Sequence, residues 1–378
     1  MKIGILCYPT YGGSGIVATE LGMSLAQKGY EVHFISSNLP ARLDMTNPNI
    51  FFHKVNVETY PLFKYQPYDI ALSSAIYQVV KLYQLDLIHA HYAIPYAYAA
   101  YVAKQMLEDE DIQIPVVTTL HGTDITLVGQ HPSYKAAVQF SINHSDAVTS
   151  VSESLKKDTL KAFNIKKEIL VIPNFIDNSL YRLDAICHRN QLAEDNEKLL
   201  IHVSNLRKVK RVPDVLAVFK RVQKVVASKL IIIGEGPEME LINHFLVEHP
   251  HLIDKVRLLG KTNNLYEVLK CTDVFLLPSE QESFGLAALE AMAAGNAVIS
   301  SNAGGIPEVN IQGVTGFLSP VGDVEDMALN TIKLLQDEAL LAHMKANAKT
   351  IAHMFDIKNI IPQYEAMYQE TLNSYQKK

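Results

Sequence analysis

Val274-Phe275-Leu276-Leu277-Pro278-Ser279-Glu280-Gln281-Glu282-Ser283-Phe284-Gly285-Leu286-Ala287-Ala288-Leu289-Glu290 is the stretch on which the fold is read. The four apolar residues closed by proline have the length of a strand buried on both faces. A polar loop follows, and an almost wholly apolar helix begins near residues 283–285. The first N–H groups of such a helix have no partner within it and are suited to an anion. Glu282 falls just before the helix, at a strand's carboxyl end, and Glu290 lies along it. A carboxylate among Leu286, Leu289 and Ala291 is costly unless it is hydrogen-bonded, which favours a ligand over a solvated helix charge.

The same alternation of strand and helix runs outward in both directions. Residues 2–7, 31–36, 86–90, 116–120, 147–151 and 169–172 read as short apolar strands, with a helix over 14–28. Residues 174–197 have mixed charge and no clean period, and read as a connection. A second series follows with strands at 198–204, 229–233, 256–259, 274–277 and 297–300. Two α/β halves of this kind predict parallel sheets with helices on both faces. Ligands of such sheets bind beyond the carboxyl ends of the strands. The stretch 355–375 reads as a final helix that neither series requires.

Bulk composition excludes other classes. The chain has 378 residues, 48% hydrophobic and 20% charged, with a net charge of −6. It is neither disordered nor collagen-like, and it has no basic excess for nonspecific nucleic-acid binding. No apolar run reaches the ~18 residues of a membrane span. Residues 1–7 read as a buried first strand and not as a signal peptide. Cys7, Cys187 and Cys271 are odd in number and form no CxxC, which argues against a disulfide framework or zinc site and for a reducing cytoplasm.

Gly12-Gly13-Ser14-Gly15 follows the first strand and opens a helix, a place for phosphate or acceptor contact. Gly13, Gly15 and Ala18 also fit a dinucleotide fingerprint, but the second strand ends Ser36-Ser37-Asn38 without the carboxylate that would hold a ribose. A turn with no ligand is the third reading. Arg207, Lys208, Lys210 and Arg211 cluster after the strand at 198–204. His89 and His91 sit two apart at a strand end, on one face, as a metal pair would, and His121 at the next strand end could complete a site. No further Cys, Asp or His follows nearby in sequence, and a metal role is the less favoured reading. Asp109-Glu110-Asp111 formally reads D-x-D but falls in a charged run that reads as a solvated loop.

Glu282 and Glu290, in the context ESFGLAALEAMAAGNAVI, resemble the E-x7-E motif of the retaining GT-B glycosyltransferases of family 4. Ala303-Gly304-Gly305-Ile306-Pro307-Glu308, Gly313-Val314-Thr315-Gly316-Phe317-Leu318 and Ile172-Pro173-Asn174-Phe175-Ile176-Asp177 resemble that family's other segments. The resemblance spans nearly the whole chain. It implies two doubly wound, Rossmann-like domains facing a cleft: 1–173 for the acceptor, 174–354 for the nucleotide sugar, and 355–378 as a helix returning to the first. It implies catalytic roles for His121 and Glu282. Donor contacts would come from Gly13, Arg207, Lys210, Arg211, Lys261, Ser283, Phe284, Gly285, Leu286 and Glu290. Asn205 stands where the family commonly has an arginine, so Arg207 is expected to take over its diphosphate contact.

Tyr8-Pro9-Thr10-Tyr11-Gly12-Gly13-Ser14-Gly15, His89-Ala90-His91-Tyr92 and Thr119-Leu120-His121-Gly122-Thr123-Asp124 together resemble one group within the family. Its members move GlcNAc from UDP-GlcNAc to the hydroxyl of L-malate, opening bacillithiol synthesis. Malate is a dianion, and Ser14, Tyr92, Thr123, Asn174, Lys64 and Lys135 are its candidate partners. The resemblance also implies front-face attack through an oxocarbenium-like state, with no metal and no cofactor. No nucleic-acid partner and no stable membrane insertion are expected, and a homo-oligomer is compatible. The alternatives are a family 4 enzyme acting on a glycolipid, polysaccharide or other small acceptor, and a nucleotide-sugar or NAD binder without transferase activity.

Overall fold

The structure, a computed structural model, describes residues 1–181, 187–262 and 265–375. It divides into two compact units, residues 1–175 with 357–378, and residues 176–356.

The first unit holds β1 (Lys2–Leu6), α1 (Gly13–Gln27), β2 (Glu31–Ser36), β3 (Ile50–Lys54), α2 (Tyr68–Tyr83), β4 (Leu87–His91), α3 (Tyr98–Glu108), β5 (Val116–Leu120), α4 (Pro132–His144), β6 (Ala147–Ser150), α5 (Glu153–Ala162) and β7 (Ile169–Val171). The strands form one parallel sheet in the order β3-β2-β1-β4-β5-β6-β7. β1, β4 and β5 are short, almost wholly buried strands in which Val, Ile, Leu and Ala are interrupted by Gly4, His89, His91, Thr118 and Thr119, and burial of this kind is what the central strands of a doubly wound sheet require.

The second unit repeats the plan. It holds β8 (Lys198–Val203), α6 (Val212–Gln223), β9 (Ser228–Ile233), α7 (Met239–Glu248), β10 (Val256–Gly260), α8 (Leu265–Cys271), β11 (Val274–Leu277), α9 (Leu286–Ala294), β12 (Ala297–Ser301), β13 (Gly316–Ser319), α10 (Val324–Gln336) and α11 (Glu338–Met354). Its sheet order is β10-β9-β8-β11-β12-β13. In both sheets the strand order reverses beside the first strand, between β1 and β4 and between β8 and β11. In sheets of this kind the carboxyl ends of the strands at such a reversal are where ligands bind.

The last helix, α12 (Ile357–Tyr375), belongs to the first unit. Ile357, Ile360, Ile361, Tyr364, Met367, Tyr368 and Thr371 make one buried stripe at helical spacing. Glu365 ties it to the end of α1, ion-paired with Lys28 and accepting from Tyr30 Oη at 3.0 Å. Tyr368 Oη lies 2.7 Å from His89 Nδ1 on β4.

Two strands were not expected from the sequence. β3 is a half-exposed edge strand, and β13 begins within residues 313–318, whose sequence matches a family segment and not a strand. The cysteine reading also needs correction. Cys187 and Cys271 are disulfide-bonded, with Cα atoms 5.3 Å apart, while Cys7 is free and buried. Eighty-four residues separate the pair in sequence, so their spacing held no sign of it. Part of the expected connection, residues 182–186, lies outside the described residues, as do 263–264 and 376–378. Among the described residues, no helix is long and apolar enough to cross a membrane.

Candidate functional site

In the second unit, β8 carries His202 one residue before its end, and burial pushes the pKa of that histidine down to about 4. A neutral His202 donates from Nδ1 to the Leu276 carbonyl at 2.9 Å and accepts at Nε2 from Ser204 Oγ at 2.8 Å. Ser204 Oγ in turn accepts from the Leu206 N–H at 3.1 Å. Leu206 is fully buried and anchors the loop. Beyond this anchor Arg207 and Lys208 are exposed, and Lys210 and Arg211 are half-buried.

The loop after β11 closes on this one. The Glu280 N–H donates to the Val209 carbonyl at 2.8 Å. Ser301 Oγ donates to the Ser279 carbonyl at 2.5 Å, and Ser279 Oγ donates to Glu282 Oε1 at 3.1 Å. Glu282 is ion-paired with Lys210 through that same oxygen. The Gly304 turn lies against the Glu282 backbone. Gly304 has φ +53°, and a Cβ there would lie 2.0 Å from the Glu282 carbonyl oxygen. Glycine is therefore required at 304 for both its conformation and its close approach.

α9 begins at Leu286, after Gly285 at φ +97°. Its free N–H groups thus stand at the carboxyl end of the sheet, where an anion is favoured. Ser283, Leu286 and Glu290 are half-buried. Phe284 is buried, with its ring edge-on to Phe355 at 5.5 Å, so its side chain is core. Arg211 Nε donates to Asp214 Oδ2 at 2.6 Å. Lys261, at the end of β10, is exposed and 3.2 Å from Glu235. The second unit therefore joins Lys210, Glu282 and Ser279, keeps Arg207 on the same loop, and engages Arg211 and Lys261 elsewhere.

In the first unit, the chain leaves β1 through a long loop into α1. A Cβ on Gly15 would lie 2.5 Å from the Thr10 carbonyl oxygen and 2.6 Å from that of Tyr8, so the loop can fold onto the helix start only over glycine. Gly13 and Ser14 are the first residues of α1. The Tyr8 ring meets Tyr92 and Tyr96 edge-on at 5.2 and 4.9 Å.

β4 delivers His91 and Tyr92, and β5 delivers His121. Tyr92 has φ +96°, a conformation costing of order 1–3 kcal/mol that is characteristic of functional positions. Its ring lies 5.2 Å from that of His121. Asp124 is buried and joins the two strand ends. It accepts N–H bonds from Ala93 at 2.9 Å, Gly122 at 3.0 Å and His121 at 3.3 Å. Burial nevertheless pushes its pKa up to about 6. Thr123 is half-buried between them in sequence.

The three histidines do not converge as metal ligands. His89 meets Tyr368 Oη and Thr119 Oγ1, each at 2.7 Å, and His91 Nδ1 meets His121 Nε2 at 2.8 Å. Among the described residues, no group of three or more His, Cys, Asp or Glu could hold a metal ion. Asn174 is buried, and its Oδ1 has no hydrogen-bond partner among the described residues. Lys64 and Lys135 are exposed, 5.4 Å above the Tyr65 ring and 5.9 Å above the Phe163 ring. Asp124 and His202 were not singled out in the sequence. The available sign was a polar residue at or just past the end of an apolar strand.

Comparison with known proteins fits both units. Residues 11–180 match Glycosyltransferase Family 4, and residues 186–351 match Glycosyl transferases group 1. The chain is 46% identical over 375 residues to the N-acetyl-alpha-D-glucosaminyl L-malate synthase of Bacillus anthracis, covering 98% of this chain and 97% of that one. Its fold is similar to that of the sucrose-phosphate synthase of Thermosynechococcus elongatus (TM-score 0.81, 21% identity, 99% of both chains). It is likewise similar to Anabaena HepE crystallised with UDP-glucose (TM-score 0.80, 22% identity, 99% of this chain and 100% of that one).

Proposed function

The chain belongs to the glycosyltransferases of family 4, and from that premise we propose that it moves GlcNAc from UDP-GlcNAc to the hydroxyl of L-malate with retention of configuration. This would be the first step of bacillithiol biosynthesis, carried out in the cytoplasm. The 46% identity to an N-acetyl-alpha-D-glucosaminyl L-malate synthase along nearly the whole length of both chains carries this reading.

The second unit is assigned the donor. Lys210 and Arg207 face the diphosphate, and the N–H groups opening α9 add partial positive charge. Glu282 addresses the sugar and Glu290 the ribose diol. Lys210 is ion-paired with Glu282. A diphosphate arriving beside it would share the ammonium, so the site is prepared for charge at that point. Preorganised cations of this kind stabilise a leaving group without reorganising during the reaction.

The first unit is assigned the acceptor. Ser14, Thr123, Tyr92 and Asn174 supply hydroxyl and amide contacts to malate, and His121 meets the donor sugar at the reaction centre. The bond from the anomeric carbon to the diphosphate oxygen breaks, and the bond from that carbon to the malate hydroxyl oxygen forms on the same face. The hydroxyl proton passes to the departing diphosphate. Two cations and a helix start neutralise that group, so no metal is required.

The test is UDP release from UDP-GlcNAc with L-malate against a panel of hydroxy acids, sugars and lipid acceptors, in excess chelator. Malate-dependent release of UDP with an α-linked product is expected. Release that requires a lipid or glycan acceptor would overturn the acceptor assignment, and a β-linked product would overturn retention. Activity lost in chelator and restored by Mg2+ would overturn metal independence.

A further inference from the structure

We propose that His91 is a positioning residue, which holds His121 in one ring orientation and one tautomer, with the His121 proton on Nδ1. His91 and His121 approach edge to edge, His91 Nδ1 to His121 Nε2 at 2.8 Å, with ring planes 25° apart. Both are held neutral by burial, His121 with its pKa pushed down to about 3 and His91 well below the ordinary value. Between two neutral imidazoles only one of the facing nitrogens carries hydrogen.

The other end of His91 decides which one. His91 Nε2 is buried and has no hydrogen-bond partner among the described residues. If His121 Nε2 donated, the His91 proton would sit on this orphaned atom, as a buried N–H with no acceptor. If His91 Nδ1 donates, the orphan is a bare lone pair. Buried N–H groups without acceptors are rarer than buried acceptors without donors. His91 therefore donates, His121 Nε2 accepts, and the His121 proton lies on Nδ1.

His91 cannot easily turn away from this role. Its ring lies 4.3 Å from that of His89, which is pinned between Tyr368 Oη of α12 and Thr119 Oγ1 of β5. His91 is fully buried, whereas His121 retains slight exposure. The histidine nearer the surface is thus the one whose chemistry is set from behind. With its Nε2 lone pair engaged and Nδ1 protonated, His121 is a hydrogen-bond donor to a sugar hydroxyl and not a base for the acceptor. This catalytic consequence rests on the assignment of His121 to the donor sugar.

Two variants separate positioning from bulk. In His91→Asn the amide nitrogen takes the place of Nδ1 and keeps the donor. In His91→Gln it takes the place of Nε2 and loses it. The readouts are the 15N shifts of the His121 ring in the full chain without ligand, and kcat and KM for UDP-GlcNAc. Wild type and His91→Asn should show Nδ1 protonated and Nε2 bare, with similar kcat. His91→Gln should show mixed tautomers and about tenfold lower kcat at little changed KM. Protonated Nε2 in wild type would overturn the inference, as would identical behaviour of the two variants. The wild-type spectrum decides the tautomer even if a variant fails to fold. Wild-type turnover in His121→Ala would instead remove His121 from the reaction and leave the tautomer measurement standing.

Discussion

The Lys210 ammonium is ion-paired with the Glu282 carboxylate, and Ser279 Oγ donates to the same carboxylate oxygen at 3.1 Å. The cation comes from the loop after β8, and the carboxylate comes from the loop after β11. They meet because β8 and β11 are hydrogen-bonded neighbours where the strand order reverses.

Glu282→Ala should stay folded and lose most turnover, with kcat about 10²–10³ lower, the scale of losing one preorganised polar contact to the transition state. Lys210→Ala should fall by a similar factor, with a weaker affinity for UDP. Steady-state UDP release and UDP titration check both. Wild-type turnover in Glu282→Ala would remove Glu282 from the site.

Gly304→Ala should reduce activity although Gly304 is not itself a candidate contact to substrate. The added methyl would stand 2.0 Å from the Glu282 carbonyl oxygen, at a φ that non-glycine residues rarely adopt. Either the turn or Glu282 must move. A loss of roughly 1–3 kcal/mol in unfolding free energy, together with lower kcat, is expected. Urea unfolding beside kinetics measures both, and unchanged values would mean that the turn does not position Glu282.

Stability should fall as pH drops below 6.5. His89, His121 and His202 are buried and neutral, with pKa values pushed down to about 3, 3 and 4. Below pH 6.5 the unfolded chain binds a proton at each and the folded chain does not. Their contribution is therefore full above 6.5 and lost as pH descends toward the folded values. Each contributes ~1.4 kcal/mol per pH unit inside that window. Asp124 acts oppositely, because its folded pKa is raised to about 6 from 3.8 and it favours the folded state on acidification between those values. Three histidines outweigh one aspartate. Urea midpoints at pH 7.5 and pH 5.5 should show the decline, and equal midpoints would contradict it.

Much of the fold was legible because central parallel strands are apolar runs of fixed length. β2, β5 and β11 have the expected bounds. β3 was missed because Phe51, Phe52 and His53 are half-exposed at a sheet edge, where no continuous apolar run is required. β13 was missed because it opens on Gly316, whose backbone lies against Val298 of β12. In the candidate site, the spacing of His89 and His91 on one strand was readable, but their partners were not. Thr119 and His121 are each thirty residues away, on the next strand.

By itself the sequence determined the two α/β halves, the strand-loop-helix carrying Glu282 and Glu290, and the resemblance to a family. All of these rest on local runs, short spacings and residue types. Only the tertiary structure decided which lysine meets Glu282, that Cys187 and Cys271 are bonded, and that His91 stands behind His121. The physical reason is the parallel sheet. Its neighbouring strands are joined by long crossovers, so the side chains that meet at its carboxyl edge are distant in sequence and brought together by strand order.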